Sequence, residues 1–314
     1  MKSNPGSPLL QYNRCGFSAN INKISLREYK LNTYYNKEVP IFLVKSDPIK
    51  LETYRNGIFI KVIDYVSNKL SEDVNYSINY LKTLPSVTTE NSFNCDIIFN
   101  CYQYLDFLKK YDIEFKLHDI IVISGVPNLD NAYWNGRYLV FGSGCKNHLP
   151  LVSSCIVAHE LTHALIQTTV DLYYSDQSGA LNESFADIFG CVFEDDIRQK
   201  FHSLGWEIGS ECNFKLRDMK YPNKFRQPMT VKDPLFYTGY KDNGGVHINS
   251  GVTNHIFVCF TEKIGLIASF NIFRKVLLLL DSRSDFLDFK RKMIDFINND
   301  DLDKTLINII DEHI

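Results

Sequence analysis

The stretch Val157-Ala158-His159-Glu160-Leu161-Thr162-His163-Ala164 decides how the rest of this sequence is read. It lies within Val152 to Thr168, which reads as one helix. Four residues on a helix turn about 400°, so His159 and His163 point the same way, one turn apart. Two imidazoles so placed can bind one tetrahedral Zn²⁺. Glu160 lies about 100° round from His159, close enough to reach water at that metal without being a ligand. The competing reading is a helix with two unrelated histidines. The flanks disfavour it, because Cys155, Ile156, Val157, Leu161, Ala164 and Leu165 make the helix unusually apolar. Polar groups buried there without a metal or partners would be costly.

A third protein ligand is then required. Gly179-Ala180-Leu181-Asn182-Glu183 offers Glu183, expected at the opening of a helix that runs to Arg198. Asp187, four residues on, shares its face and can accept from the outer nitrogen of a ligand histidine, fixing its tautomer. Taken alone, Glu183 reads sooner as a solvated first-turn carboxylate favoured by the helix dipole than as a ligand. Further on, Asp242-Asn243-Gly244-Gly245-Val246-His247 joins a glycine turn to a histidine ahead of a helix expected over Asn254 to Ile264. A histidine fixed there could stabilise a developing oxyanion, with Asp242 orienting it. The alternative is a loop histidine packed on the next helix. Arg217 is either a group that clamps a substrate carbonyl or an ordinary surface arginine.

The remaining chain bounds the class. It has 314 residues, 45% hydrophobic and 23% charged, with a formal charge of −3. That is material for a real core and about two domains, and it excludes a disordered or fibrous chain. The basic excess of a nucleic-acid binder is absent, so no nucleic-acid partner is expected. The strongest apolar run, Val276 to Leu280, is too short to span a membrane. Pro5, Gln11, Asn13 and Arg14 interrupt the place where a leader's apolar segment belongs, which points to a cytoplasmic protein or export by a non-classical route. The eight cysteines are irregularly spaced, with no CxxC pair, and read mostly as small buried thiols. Strands are expected at Tyr34-Tyr35, Val39 to Val44, Gly57 to Tyr65, Ile120 to Ile123 and Tyr138 to Phe141. A hairpin is expected around Asn56-Gly57, and a helix over Cys95 to Tyr111. From residue 150 onward the pattern is mainly helical, with further helices at Ala268 to Leu280 and Phe286 to Asn298.

Taken together, these segments resemble the thermolysin family of zinc metallopeptidases. The likeness is collinear. Asp130-Asn131-Ala132-Tyr133-Trp134-Asn135-Gly136 comes first, then the His159 motif, then residues 179–183 with Asp187. Trp206-Glu207-Ile208-Gly209, Leu216-Arg217 and residues 242–251 follow. The resemblance implies an α+β, two-lobed fold: a β-rich N-terminal lobe, a mainly helical C-terminal lobe, and the histidine-bearing helix between them. The expected division is an irregular arm or short prosegment at 1–20, the β-rich lobe with the metal helix at 21–170, and the helical lobe at 171–314. The resemblance further implies one zinc per chain on His159, His163 and Glu183, with Glu160 as general base and Asp187 behind the ligands. His247, oriented by Asp242, and Tyr174 would stabilise the oxyanion. Asn131 and Ala132 would hold an extended peptide, with Trp134 behind that edge, and Arg217 would bind a carbonyl. The implied activity is internal cleavage of protein or peptide substrates by a monomer, before bulky apolar residues, with Leu216, Ile156 and Ile208 as candidate pocket walls.

The sequence also departs from that family. Glu194 and Glu207 stand at positions of its double calcium site, but Cys155, Gly205 and Ser210 replace acidic residues there. Ca²⁺ wants about six oxygen ligands. These losses argue against the double site and leave at most one weak one. Residues 1–50 match poorly. The alternative function is a catalytically idle thermolysin-like fold serving as a protein-binding module, which turnover compared with Glu160→Gln would separate.

Overall fold

The computed structural model describes residues 26–31, 39–44, 51–64, 92–144, 149–198, 206–212 and 214–314. The expectations for residues 1–20 and for Tyr34-Tyr35 lie outside them. The first part of the chain builds a seven-stranded mixed sheet in the order β1-β2-β3-β4-β5-β7-β6. The strands are β1 (Leu26–Leu31), β2 (Val39–Val44), β3 (Leu51–Arg55), β4 (Ile58–Asp64), β5 (Asp119–Val126), β6 (Ala132–Trp134) and β7 (Leu139–Gly142). The first four pair antiparallel in sequence order. β4, β5 and β7 run parallel, and β6 returns antiparallel to β7 at the edge.

Local chemistry explains the joints. Asn56 and Gly57 both adopt positive φ, 50° and 88°, the geometry of a two-residue hairpin turn. Arg55 locks that turn to helix α1 (Ser92–Lys110) through a two-pronged pair with Asp106 at 2.7 and 2.6 Å. Asn56 adds a hydrogen bond from Nδ2 to the Leu105 carbonyl. Along β4, Ile58, Ile60 and Val62 are buried while Phe59 and Lys61 are less so, the period-two signature of one face on the core. Helix α1 covers that face with Ile97, Ile98, Cys101, Tyr104, Leu105 and Leu108.

The second part is helical: α2 (Ser154–Thr169), α3 (Asp176–Arg198), α4 (Asp242–Ile264), α5 (Leu266–Leu277), α6 (Phe286–Asn299) and α7 (Thr305–His313). Helix α2 lies between the two parts, and from Ser154 to Ile166 every residue but His163 is buried. Behind it, Phe185, Phe257, Phe260, Phe273 and Phe289 pack mostly edge to face, as at Phe257–Phe273 with centroids 5.0 Å apart. Cys101, Cys155 and Cys191 are buried free thiols, Cys212 is buried, and Cys259 is a partly exposed free thiol. Among the described residues no helix is long and apolar enough to cross a membrane.

Two of the differences from the sequence reading bear on the site. α3 begins at Asp176, seven residues before Glu183, so Glu183 sits two turns inside it. Gly179 and Asn182 are weak helix formers, but tertiary packing needs both. A Cβ on Gly179 would lie 2.4 Å from Val246 Cγ1, so the glycine lets α3 approach the first turn of α4. The second difference is His247. It stands in the first regular turn of α4 rather than ahead of a later helix.

Gly179→Ala should therefore destabilise the protein by about 1–3 kcal/mol, because Val246 is fully buried and branched. Chemical denaturation measures it. Unchanged stability would mean that α3 and α4 can part without cost.

Candidate metal centre

α2 presents His159 and His163 as its spacing requires, with their Nε2 atoms 3.0 Å apart. The third group comes from α3. Glu183 has no solvent exposure, and its carboxylate oxygens lie 3.5 Å from His159 Nε2 and 3.4 Å from His163 Nε2. These donor atoms all fall within 4.8 Å of one another.

The outer nitrogens are also engaged. His163 Nδ1–H donates to Asn182 Oδ1 at 2.8 Å, which leaves its Nε2 lone pair facing the centre. His159 Nδ1 lies 2.9 Å from Asp187 Oδ1, in ion-pair rather than aligned hydrogen-bond geometry. Asp187 is fully buried and takes Nε and Nη2 of Arg217, each at 2.7 Å, and Nδ2 of Asn254 at 2.8 Å. Arg217 is thus turned toward the metal cluster, its Nη2 also 3.6 Å from Glu183.

The charges follow from this packing. Burial alone would raise Asp187, but the Arg217 guanidinium outweighs it and holds the carboxyl at about 2. Burial would likewise raise Glu183, yet the histidines around it, His163 foremost, hold it well below the usual carboxylate range. Burial drives His163 downward, toward the neutral form a ligand needs.

A cation fits here because two features are otherwise uncompensated. Two imidazole nitrogens face each other at 3.0 Å, and Glu183 Oε2 is buried with no hydrogen-bond partner. A His₂Glu set with an open fourth position is a zinc arrangement.

The neighbouring groups line that open side. Glu160, one residue along α2, is buried, and its Oε2 accepts the Trp134 backbone N–H at 2.9 Å. Trp134 Nε1 donates to Gln167 on the same helix. Asn131 is exposed and its carbonyl accepts from Gly142 N at 2.9 Å, while Ala132 is buried. Opposite, the Tyr174 hydroxyl donates to Glu183 Oε1 and stands 3.3 Å from His247 Nε2. Burial and the Glu183 charge push the Tyr174 phenol well up, so it remains a proton donor. His247 Nδ1–H donates to Asp242 Oδ1 at 2.6 Å, and its backbone N–H to Oδ2 at 2.9 Å. That clamp depends on residues 242–245, which all have positive φ, between 49° and 87°. Asp, Asn and Gly are the residue types that tolerate this region.

Glu194 and Glu207 lie elsewhere: Glu194 accepts from Ser154 Oγ, and Glu207 pairs with Lys215 at 2.5 Å. Sequence reasoning missed Asn182, Asn254 and Gln227, whose Nε2 donates to the His247 carbonyl. For the two asparagines the available signal was an amide inside an apolar helical run, where it needs a partner, while Gln227 lies outside any helix and carries no such signal.

Known proteins resemble this chain in sequence and in fold. Residues 92–167 match the family model described as the thermolysin metallopeptidase catalytic domain, and residues 170–302 match that of its alpha-helical domain. An extracellular elastase from Staphylococcus epidermidis is 38% identical over 175 residues, covering 54% of this chain and 33% of that protein. A zinc metalloproteinase from Listeria monocytogenes is 33% identical over 221 residues, covering 66% of this chain and 41% of that protein. The chain thus matches less than half the length of either relative. The precursor of protealysin, a metalloproteinase from Serratia proteamaculans, has the same fold, with a TM-score of 0.68 over 83% of this chain and 88% of that one at 20% identity.

Removing the Asn182 acceptor with Asn182→Ala should weaken zinc binding about 10–100-fold by freeing the His163 ring. Competition against a chromogenic chelator measures this. Wild-type affinity in the variant would show that packing alone orients His163.

Proposed function

The chain belongs to the thermolysin family of metallopeptidases, and on that premise we propose that it is a zinc-dependent endopeptidase acting on internal bonds of extended peptides. The observation that carries this reading is the side-by-side placement of the His159, His163 and Glu183 donors and a separate buried carboxylate, Glu160, held by the Trp134 N–H. A purely structural zinc site needs no such second carboxylate and is usually closed by four ligands.

Zn²⁺ bound there supplies a Lewis acid that polarises a carbonyl oxygen and lets water lose a proton near neutral pH. The remaining work belongs to the chain. Glu160 takes the proton from the attacking water and returns it to the departing amine. The Trp134 N–H fixes which carboxylate oxygen stays occupied, leaving Oε1 for the proton. Tyr174 and His247 donate to the oxygen that gains negative charge as the amide carbonyl is attacked. To donate from Nε2, the His247 ring must carry both protons, and Asp242 is its counter-charge.

Substrate positioning follows from β6. The Asn131 carbonyl and the Asn135 N–H bond inward to β7. By the alternation of an antiparallel ladder, Ala132 and Trp134 turn their backbone groups outward, and with the Trp134 N–H held by Glu160 the Ala132 groups and the Trp134 carbonyl are left for a peptide. An extended peptide can add along that edge, which lays its scissile carbonyl beside Glu160. Asn131, exposed at the start of the edge, can bond the peptide backbone. With its Nε and Nη2 committed to Asp187, Arg217 has Nη1 for a substrate carbonyl. Half-buried Leu216, beside it, and buried Ile208 and Ile156 favour an apolar residue after the cut bond. The lobe boundary near 170, and residues 1–20 as a short prosegment, belong to this proposal.

Glu160→Gln should lower peptide turnover by about 10²–10⁴-fold while the variant retains as much zinc as wild type. Digestion of a mixed peptide library with metal quantification reads both. Internal cuts that persist in Glu160→Gln would sink the assignment, and bound zinc without any turnover by wild type would favour a binding module. His247→Ala and Tyr174→Phe should each lower kcat by about 10²–10³-fold or less, with zinc unchanged. A fall confined to KM would remove them from oxyanion stabilisation.

A further inference from the structure

Helix α4 carries a second set of metal donors, remote in sequence from the first. From Gly251 to Phe260 every residue is buried except His255, Cys259 and nothing else, and these two stand one turn apart on a single face. The C-terminal helix α7 covers that face and brings in His313, which is buried. One ligand atom from each of His255, Cys259 and His313 lies within 4.8 Å of the others.

The geometry of the donors is specific. His313 Nδ1–H donates to the Ile309 carbonyl at 2.6 Å, so its Nε2 carries the lone pair. That Nε2 faces His255 Nδ1 at 2.8 Å, and Cys259 Sγ lies 4.0 Å from the same His255 atom. Without a metal, one proton on His255 Nδ1 must serve both rings. Tetrahedral zinc with two nitrogens and a sulfur needs about 3.3 Å between nitrogens and about 3.6 Å between nitrogen and sulfur. The separations from His255 to His313 and from His255 to Cys259 reach those values with shifts of roughly half an ångström.

We propose that His255, Cys259 and His313 form a second metal site, suited to a borderline divalent ion such as Zn²⁺. Two imidazoles and a thiolate are nitrogen and sulfur ligands of the kind that select such ions over Ca²⁺ or Mg²⁺. The ion takes the place of the shared imidazole proton, which moves to His255 Nε2 as the ring changes tautomer, and it displaces the Cys259 thiol proton to solvent. Burial and the neighbouring His313 ring hold the His255 imidazole at about 4, so it is neutral at neutral pH. Burial and Glu262 push the Cys259 thiol to about 11, so the ion must displace its proton and affinity rises with pH.

The site has a structural consequence. The His313 carbonyl accepts the Val231 N–H at 2.9 Å, from the long segment that also supplies Gln227 to the His247 carbonyl. An ion here pins α7 to α4 and, through Val231, steadies that segment. His255 lies eight residues from His247 on α4, about 12 Å along the helix, so the two metal sites are separate.

Cobalt titration of the full-length, reduced protein distinguishes them, because only the second site contains sulfur. A thiolate-to-cobalt charge-transfer band in the near ultraviolet should grow in as the two sites fill and be saturated at two equivalents. It should survive in His159→Ala/His163→Ala and disappear in Cys259→Ser. Bound zinc should fall from two per chain in wild type to one in Cys259→Ser or His313→Ala. Circular dichroism checks folding, and Cys259→Ser, at a partly exposed position, is the variant that decides if His313→Ala fails to fold. A folded wild type with no thiolate band, or a band unchanged in Cys259→Ser, overturns the proposal.

Discussion

Glu183 carries its negative charge at a position with no exposure to solvent, and a carboxylate placed there alone would cost several kcal/mol. The surrounding structure is organised to meet that cost. Two imidazoles from α2 face it, the Tyr174 hydroxyl donates to it, and Arg217 stands behind. Arg217 in turn needs Asp187, and Asp187 needs Asn254, whose own carbonyl oxygen accepts from Ser184. The polar chain therefore runs from the centre through three helices without leaving the core. Its members are interdependent: removing one buried partner strands the next.

The same dependence explains the packing of the helices. α2 is buried along almost its whole length because it must deliver two ligands to a point shared with α3. The small residue at Gly179 then lets α4 approach closely enough to set His247 beside Tyr174. The sheet contributes at one place, where Trp134 on β6 fixes Glu160. Everything else in the sheet serves to hold that edge strand at the mouth of the helical part.

Legibility in the sequence followed the range of the interactions. The two histidines of α2 were readable because a four-residue step on a helix is a local fact, and the Asn56-Gly57 turn because two residues carry its whole signature. The start of α3 was not, since Gly179 and Asn182 read as breakers until the partners they serve, Val246 and His163, are placed in space. β6 is three residues long and has no periodicity of its own. The roles of Asn182, Asn254 and Gln227 depend on hydrogen bonds across 19 to 67 residues of chain, which no spacing rule records. Arg217 shows an intermediate case: the residue was singled out, but its hold on Asp187 became visible only with the fold.

The edge strand has a consequence for what the proposed enzyme could cut. A polypeptide can join β6 only where its own N–H and C=O groups are unspent, because the edge bonds main chain to main chain. A helix or a paired strand has no such groups to offer. Conformation would thus be screened before composition. A compactly folded protein would pass the cleft untouched, while the same protein, once loosened or newly made, would present one vulnerable segment after another. Selectivity of that kind needs no recognition motif, since the victim's own stability draws the line.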